Sequence, residues 1–232
     1  MESLETELDR ARDLSVAELA DAIESIGFEC TRCGACCKAN EPADGDGETE
    51  PHTATLFPEE ARELQDAPAE EFEEAYDWRD VARPMPYGLS EGDDGPEGET
   101  FEWAIQTDAC GDCTFYEEAE DGTGACTVHD SRPLVCRTYP FSVALGGTSE
   151  PMGEAVDREG LVRAHECEGL GRDISRNEAE DLAAALKERA VRELEEAISL
   201  RDRYEPRSDV NGVVVHDSEG AKRPDGTSLE ER

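Results

Sequence analysis

Residues 28–38 read Phe28-Glu29-Cys30-Thr31-Arg32-Cys33-Gly34-Ala35-Cys36-Cys37-Lys38. Cys30, Cys33 and Cys36 stand at C-x2-C-x2-C spacing, with Cys37 directly behind them. Thiols at that interval converge on one centre only where the loop turns tightly, and Gly34 supplies a residue that tolerates positive φ. The same interval provides three ligands in bacterial-type iron–sulfur ferredoxins, whereas structural zinc sites more often use separated C-x2-C pairs. Neighbouring side chains usually diverge, which leaves a second centre open to Cys37.

Five more cysteines lie downstream. Cys110, Cys113, Cys126 and Cys136 form a second group, and Cys167 stands alone between His165 and Gly169. Tetrahedral zinc and cubane iron–sulfur clusters each take four protein ligands, so eight of the nine cysteines would fill two sites. One cluster plus one structural site is equally allowed, and Cys110-x2-Cys113 with Cys126 and Cys136 is a ligand set suited to zinc. Core cysteines do not arrive as C-x2-C-x2-C-C, and a dithiol redox reading of Cys110 and Cys113 lacks its βαβ setting. His129 and His165 are alternative ligands, though each is expected to be a supporting or surface group.

Charge sets these segments apart. The chain carries a formal charge of -37, with 59 Asp and Glu against 22 Lys and Arg. Residues 30–38 nevertheless contain no acid, and 126–149 contain only Asp130 while including Arg132 and Arg137. Cations beside thiolates lower their pKa and offset the charge of a thiolate-bound centre. Burial of these segments would exclude carboxylates equally well. Elsewhere the carboxylate excess would repel itself in dilute buffer, since screening reaches about 30 Å at 0.01 M salt but about 3 Å at 1 M. Lysine is confined to Lys38, Lys187 and Lys222. Both features are expected of a halophilic protein.

The same charge argues against binding nucleic acid, which needs a basic face. No run reaches the ~20 apolar residues of a membrane span, and the start, MESLETELDR, lacks the basic and apolar stretches of a secretory signal. A cytoplasmic location is expected, where thiols stay reduced; an odd number could not pair fully in any case.

The expected fold class is α+β: a small metal-nucleated, cysteine-rich domain with packed helices and few short strands. Residues 1–27 read as helical, through Leu4 and Leu8 and then a Ser15-x-x-Glu18 capping box before Leu19, Ile23 and Ile26, with Gly27 as the stop. The cysteine domain is expected over 28–174. Within it, 41–51 and 88–100 read as acidic loops, Pro58 opens a helix with Leu64 inward, and Phe72 and Tyr76 suit a second short helix. Phe101 to Ile105 alternates as a strand would. Over 175–205, Ser175-x-x-Glu178 caps an amphipathic helix whose stripe is Leu182, Leu186, Ala190, Leu194 and Ile198. Val213 to Val215 reads as a strand in 206–232, and the remainder as a frayed tail.

Three motifs occur in order: Phe28-x-Cys30-x2-Cys33-Gly34-x-Cys36-Cys37; Cys113 and Cys126-x5-Arg132-Pro133-x2-Cys136-Arg137-x-Tyr139-Pro140-Phe141; and Cys167-x-Gly169-x-Gly171. Together they resemble the YkgJ-type cysteine-cluster family, whose CxxCxxCC domain is described as chelating zinc or iron. The resemblance spans roughly residues 28–171. It implies metal binding by Cys30, Cys33, Cys36, Cys37, Cys113, Cys126, Cys136 and Cys167, and leaves Cys110 as the spare. Many members are labelled iron–sulfur oxidoreductases, and a related domain occurs in a flagellin lysine N-methylase. No glycine-rich nucleotide loop accompanies the motifs here. The expected cofactor is thus an iron–sulfur cluster, of 4Fe–4S type on Cys30, Cys33, Cys36 and Cys37, used in electron transfer with a redox partner protein or within an oxidoreductase. The alternatives are a non-enzymatic structural zinc protein and a cluster-dependent protein methylase.

Overall fold

The computed structural model describes residues 3–40, 49–67, 76–92, 95–145, 155–157, 160–207 and 210–229. Helices run over Leu4–Asp13 (α1), Val16–Ile26 (α2), Pro58–Asp66 (α3), Trp78–Val81 (α4), Leu134–Thr138 (α5) and Arg176–Arg203 (α6). The strands are Thr55–Leu56 (β1), Ala82–Pro84 (β2), Leu89–Gly92 (β3), Gly95–Thr100 (β4), Trp103–Ile105 (β5), Tyr116–Glu118 (β6), Gly124–Cys126 (β7), Phe141–Val143 (β8), Ala155–Asp157 (β9), Val162–His165 (β10), Val213–Asp217 (β11) and Gly220–Lys222 (β12). The fold is mixed α+β, with more strands than expected, and no sheet among the described residues exceeds four strands. The helix expected through Phe72 lies outside the described residues, as does most of the 41–51 loop. The chain divides into two compact units, Met1–Ala35 with Leu134–Ile198, and Cys36–Pro133 with Ser199–Arg232.

In the first unit, serine oxygens start the helices. Ser3 accepts from the Thr6 N–H and Ser15 from the Glu18 N–H, each at 3.3 Å, satisfying donors that a helix start leaves open. The 1–27 segment is thereby two helices. Gly27, at φ 78°, closes α2 with its N–H on the Ile23 carbonyl at 2.8 Å. Ser175 and Glu178 form the expected reciprocal cap on α6. From its stripe, Leu186, Ala190 and Leu194 are buried, while Leu182 and Ile198 pack against the same core partly exposed. That core also takes Leu8, Leu19 and Ile23 from α1 and α2, and Phe141, Val143, Val162 and Ala164 from the sheet β8-β10-β9. Fully burying each leucine or isoleucine is worth about 1.5–3 kcal/mol, so this shared core, rather than intrinsic propensity, holds α6 in place.

The second unit is built from three small sheets, β1-β5-β2, β12-β11-β4-β3 and β6-β7. Pro58 opens α3, Glu60 accepts the Phe57 N–H at 3.0 Å, and Leu64 is fully buried. Trp103 of β5 is fully buried edge-on to Trp78, centroids 5.0 Å apart, and its N–H donates to Asp217 at 2.8 Å. Two sequence expectations are corrected here. Residues 88–100 hold the β3–β4 hairpin, and 217–229 continue β11 through a turn into β12 and on to Leu229. Neither segment has the apolar alternation of a strand. β4 is strand because β11 pairs parallel to it, Val213 opposite Gly98 and Val215 opposite Thr100, and Val214 and Val215 are buried.

Candidate metal centre

The second unit holds four of the expected ligands, Cys36, Cys37, Cys113 and Cys126. Cys36 and Cys37 lie in a 3-10 turn, Ala35–Cys37, that follows Gly34 at φ 76°. Their sulfurs nonetheless stand 3.9 Å apart. The expectation that Cys37 faces away from Cys36 is therefore corrected. Cys113 is buried, and its N–H donates to the Cys37 carbonyl at 2.8 Å. Cys126, at the end of β7, pairs across from Tyr116.

Local polar contacts set these cysteines in place. The Asp108 carboxylate accepts the N–H groups of Cys110 (2.8 Å) and Asp112 (3.0 Å), and Asp112 accepts the Ala39 N–H at 2.8 Å. This side-chain turn docks residues 108–113 on the backbone that follows Cys37. Lys38 pairs with Glu118, which also accepts the Tyr116 hydroxyl at 2.6 Å, so the same backbone is fastened to the β6–β7 hairpin. Cys110 itself is exposed.

Electrostatics links the group. The Cys36 thiol is pushed well above its ordinary range by its hydrogen bond with Cys37, then by burial and by the like charge of Cys37, against an opposing pull from Arg132. Burial pushes Cys113 up to about 11, with Cys126 and Cys36 adding to the shift. Burial raises Cys126 too, again against Arg132. Arg132 is the cation beside Cys36 and Cys126 that favours their thiolate form. Arg132 is itself held by its Nε–H on the His129 carbonyl at 3.1 Å. His129 is exposed beside Asp130.

Cys30, Cys33, Cys136 and Cys167 belong to the first unit. Phe28 and Leu170 form an antiparallel bridge, with the Glu29 N–H on the Gly169 carbonyl and the Gly171 N–H on the Gly27 carbonyl, both at 3.0 Å. A β-carbon on Gly169 would stand 2.3 Å from the Glu29 oxygen, and one on Gly27 2.4 Å from the Arg172 oxygen. Gly169 of the third motif, together with Gly27, thus lets the Cys167 loop lie against the segment leading to Cys30. On its other side, the His165 N–H donates to the Pro140 carbonyl at 2.9 Å and the Tyr139 hydroxyl to the Glu166 carbonyl. These contacts place the loop beside the end of α5, which carries Cys136. Phe28 packs edge-on against Phe141, centroids 5.7 Å apart. His165 is buried with Nε2 on Ser142 at 3.0 Å and no partner for Nδ1 among the described residues.

None of the nine cysteines is in a disulfide. Among the described residues no three His, Cys, Asp or Glu side chains converge closely enough to hold a metal ion. The donor set nonetheless suits one: grouped thiols with a neighbouring arginine select zinc, iron and iron–sulfur centres over hard cations. No described helix is long and apolar enough to cross a membrane. What the motifs alone do not reveal is the part played by Asp108, Asp112 and Lys38, none of which stands at a motif position.

No curated protein and no solved structure matches the chain. A family model does: that of the CxxCxxCC domain, described as "Putative zinc- or iron-chelating domain", over residues 29–168. This interval is more than half of the 232 residues and contains every cysteine of both units. The protein therefore belongs to the CxxCxxCC family.

Proposed function

We propose that this protein is an iron–sulfur protein whose thiolates carry a cluster for electron transfer, alone or as the cluster-bearing part of an oxidoreductase. The observation that supports this most is the Cys36–Cys37 pair, sulfurs 3.9 Å apart, with the Cys113 N–H on the Cys37 carbonyl and Arg132 beside Cys36 and Cys126, in a chain otherwise crowded with carboxylates. A bound cluster supplies one-electron chemistry. The residues supply soft donors, a guanidinium that offsets the negative charge of a thiolate centre, and partial burial that sets its dielectric.

The 3.9 Å between the Cys36 and Cys37 sulfurs supports one choice of cluster type over another. Two thiolates on one tetrahedral metal with bonds of about 2.3 Å stand roughly 3.8 Å apart. A cubane takes one cysteine on each iron, so this pair suits a 2Fe–2S centre better than the 4Fe–4S cluster expected from the spacing. The same distance favours a second reading, a structural zinc site in which the metal only holds the fold.

Anaerobic purification with iron, acid-labile sulfide and zinc measured together separates the two. Brown protein with near-equal iron and sulfide, bleaching on reduction, is expected. Colourless protein that holds stoichiometric zinc, and takes up no cluster on anaerobic reconstitution, would replace the iron–sulfur reading with the zinc one.

A further inference from the structure

Cys36 and Cys37 are neighbours in space as well as in sequence, their sulfurs 3.9 Å apart. Among the described residues no third His, Cys, Asp or Glu side chain converges on them closely enough to complete a metal site. The pair is thus a two-sulfur arrangement in its own right. The backbone just behind it is fastened without help from either sulfur: the Cys37 carbonyl takes the Cys113 N–H at 2.8 Å, Lys38 pairs with Glu118, and the Ala39 N–H donates to Asp112 at 2.8 Å. The sulfurs can therefore change chemical state while the turn stays docked. Cys36 is exposed and Cys37 half-buried, so a small reagent reaches them.

Resting on the reading of the chain as a metal chelator, we propose that this pair is a redox gate on metal loading. In the metal-free chain Cys36 and Cys37 close into a disulfide between neighbours, and the oxidised chain cannot load metal at these two positions. The oxidant is a small-molecule disulfide. One cysteine sulfur attacks it, breaking its S–S bond and releasing one thiol; the other cysteine sulfur attacks the resulting mixed disulfide and releases the second. Two electrons and both cysteine protons end on the two released thiols, and an excess of thiol runs the exchange backwards. The sulfurs draw in from 3.9 Å to a bonded distance of about 2.05 Å. Adjacent α-carbons stand about 3.8 Å apart, short of the roughly 4.4–6.8 Å that relaxed disulfides span, so the ring is strained and easily reduced. A bond of that kind suits regulation rather than support of the fold. Metal binds thiolate, and closure removes two such donors at once.

For the test, the full-length chain is stripped of metal in molar salt without oxygen, incubated with hydroxyethyl disulfide, and its remaining thiols are alkylated. Cleavage after Arg32 and Lys38 gives the peptide Cys33-Gly34-Ala35-Cys36-Cys37-Lys38. It should lack two hydrogens and carry a single alkyl group, on Cys33. An alkyl group on Cys36 or Cys37, or a lasting adduct of the reagent on either, overturns the linkage, and this mapping needs no variant to fold. Zinc(II) titration then reads the gate. The oxidised chain should lose zinc uptake relative to the reduced one and regain it with a thiol reductant; equal uptake with the Cys36–Cys37 bond in place overturns the gate. A reduced chain that takes up neither zinc nor iron overturns the chelator reading instead, an outcome distinct from a missing linkage.

Discussion

Lys38, Lys187 and Lys222 each occupy a built position. Lys38 pairs with Glu118 beside the cysteine turn, Lys187 donates to the Leu14 carbonyl at 2.7 Å, and Lys222 is buried against Asp217 at 2.8 Å and Glu219 at 2.6 Å. In a chain that otherwise takes its cations as arginine, lysine is kept where a compact ammonium makes a specific contact. Cysteine shows the same selectivity. Cys110 and Cys113 are three residues apart, yet one is exposed and the other is buried and bonded to the Cys37 carbonyl. Cys113→Ser is therefore expected to lose about one metal equivalent and to melt earlier, because metal-binding energy is also folding energy. Cys110→Ser should keep its metal; comparable losses from both, measured as metal per chain, would show that the spare cysteine is misassigned.

Among the elements, the backbone bridge between Phe28 and Leu170 depends on a side chain that is missing. Gly169→Ala would put a methyl group 2.3 Å from the Glu29 carbonyl oxygen, and the backbone would have to part. Overpacking of this kind costs about 1–3 kcal/mol, so a lower melting temperature and weaker metal retention are expected together. An unchanged melt would mean that the two segments are not held in contact. The β11–β12 hairpin depends instead on buried charge, since Lys222 and Asp217 are 3% and 5% exposed and Asp217 also receives the Trp103 N–H. Lys222→Met should cost about 3–5 kcal/mol in denaturant unfolding, because it leaves Asp217 buried without its cation. Adding Asp217→Asn should restore part of that loss.

For the whole molecule, the net charge of -37 sets the response to salt. Cooperative unfolding at high temperature is expected in molar salt, with a much lower melting temperature after dialysis into dilute buffer, because unscreened carboxylates repel one another. Equal melting temperatures in the two solutions would remove the halophilic reading. Acid acts through two separate groups. Burial, with the nearby Arg83 cation, holds His52 down at about 4 from its ordinary 6.5. The unfolded chain takes up this proton first, so that stability is intact above about pH 6.5 and falls as pH drops toward 4. His52→Gln should flatten this limb of the stability profile. Glu219, held down at about 2 from 4.5 chiefly by its hydrogen bond from Arg62, contributes stability above pH 4.5 that is lost as pH falls toward 2. The two limbs are read from melting temperatures across pH at constant salt.

Helix ends, the α6 stripe, the mixed α+β class and the metal-binding character of the cysteines were all determined by the sequence alone. The reason is that capping oxygens, helical periodicity and ligand spacing act over a few residues, so Ser15, Ser175, Gly27 and Cys30-x2-Cys33 carry their meaning locally. Only the tertiary structure decided that 89–92, 95–100 and 220–222 form strands. Segments so rich in glycine and acid become strands when a distant partner supplies the hydrogen bonds, as β11 does for β4. It also decided which thiols are neighbours: Cys113 lies against Cys37 because the Asp108 turn sets Asp112 to accept the Ala39 N–H. Such pairings join residues more than seventy positions apart, a separation over which spacing in the sequence carries no information about distance in space.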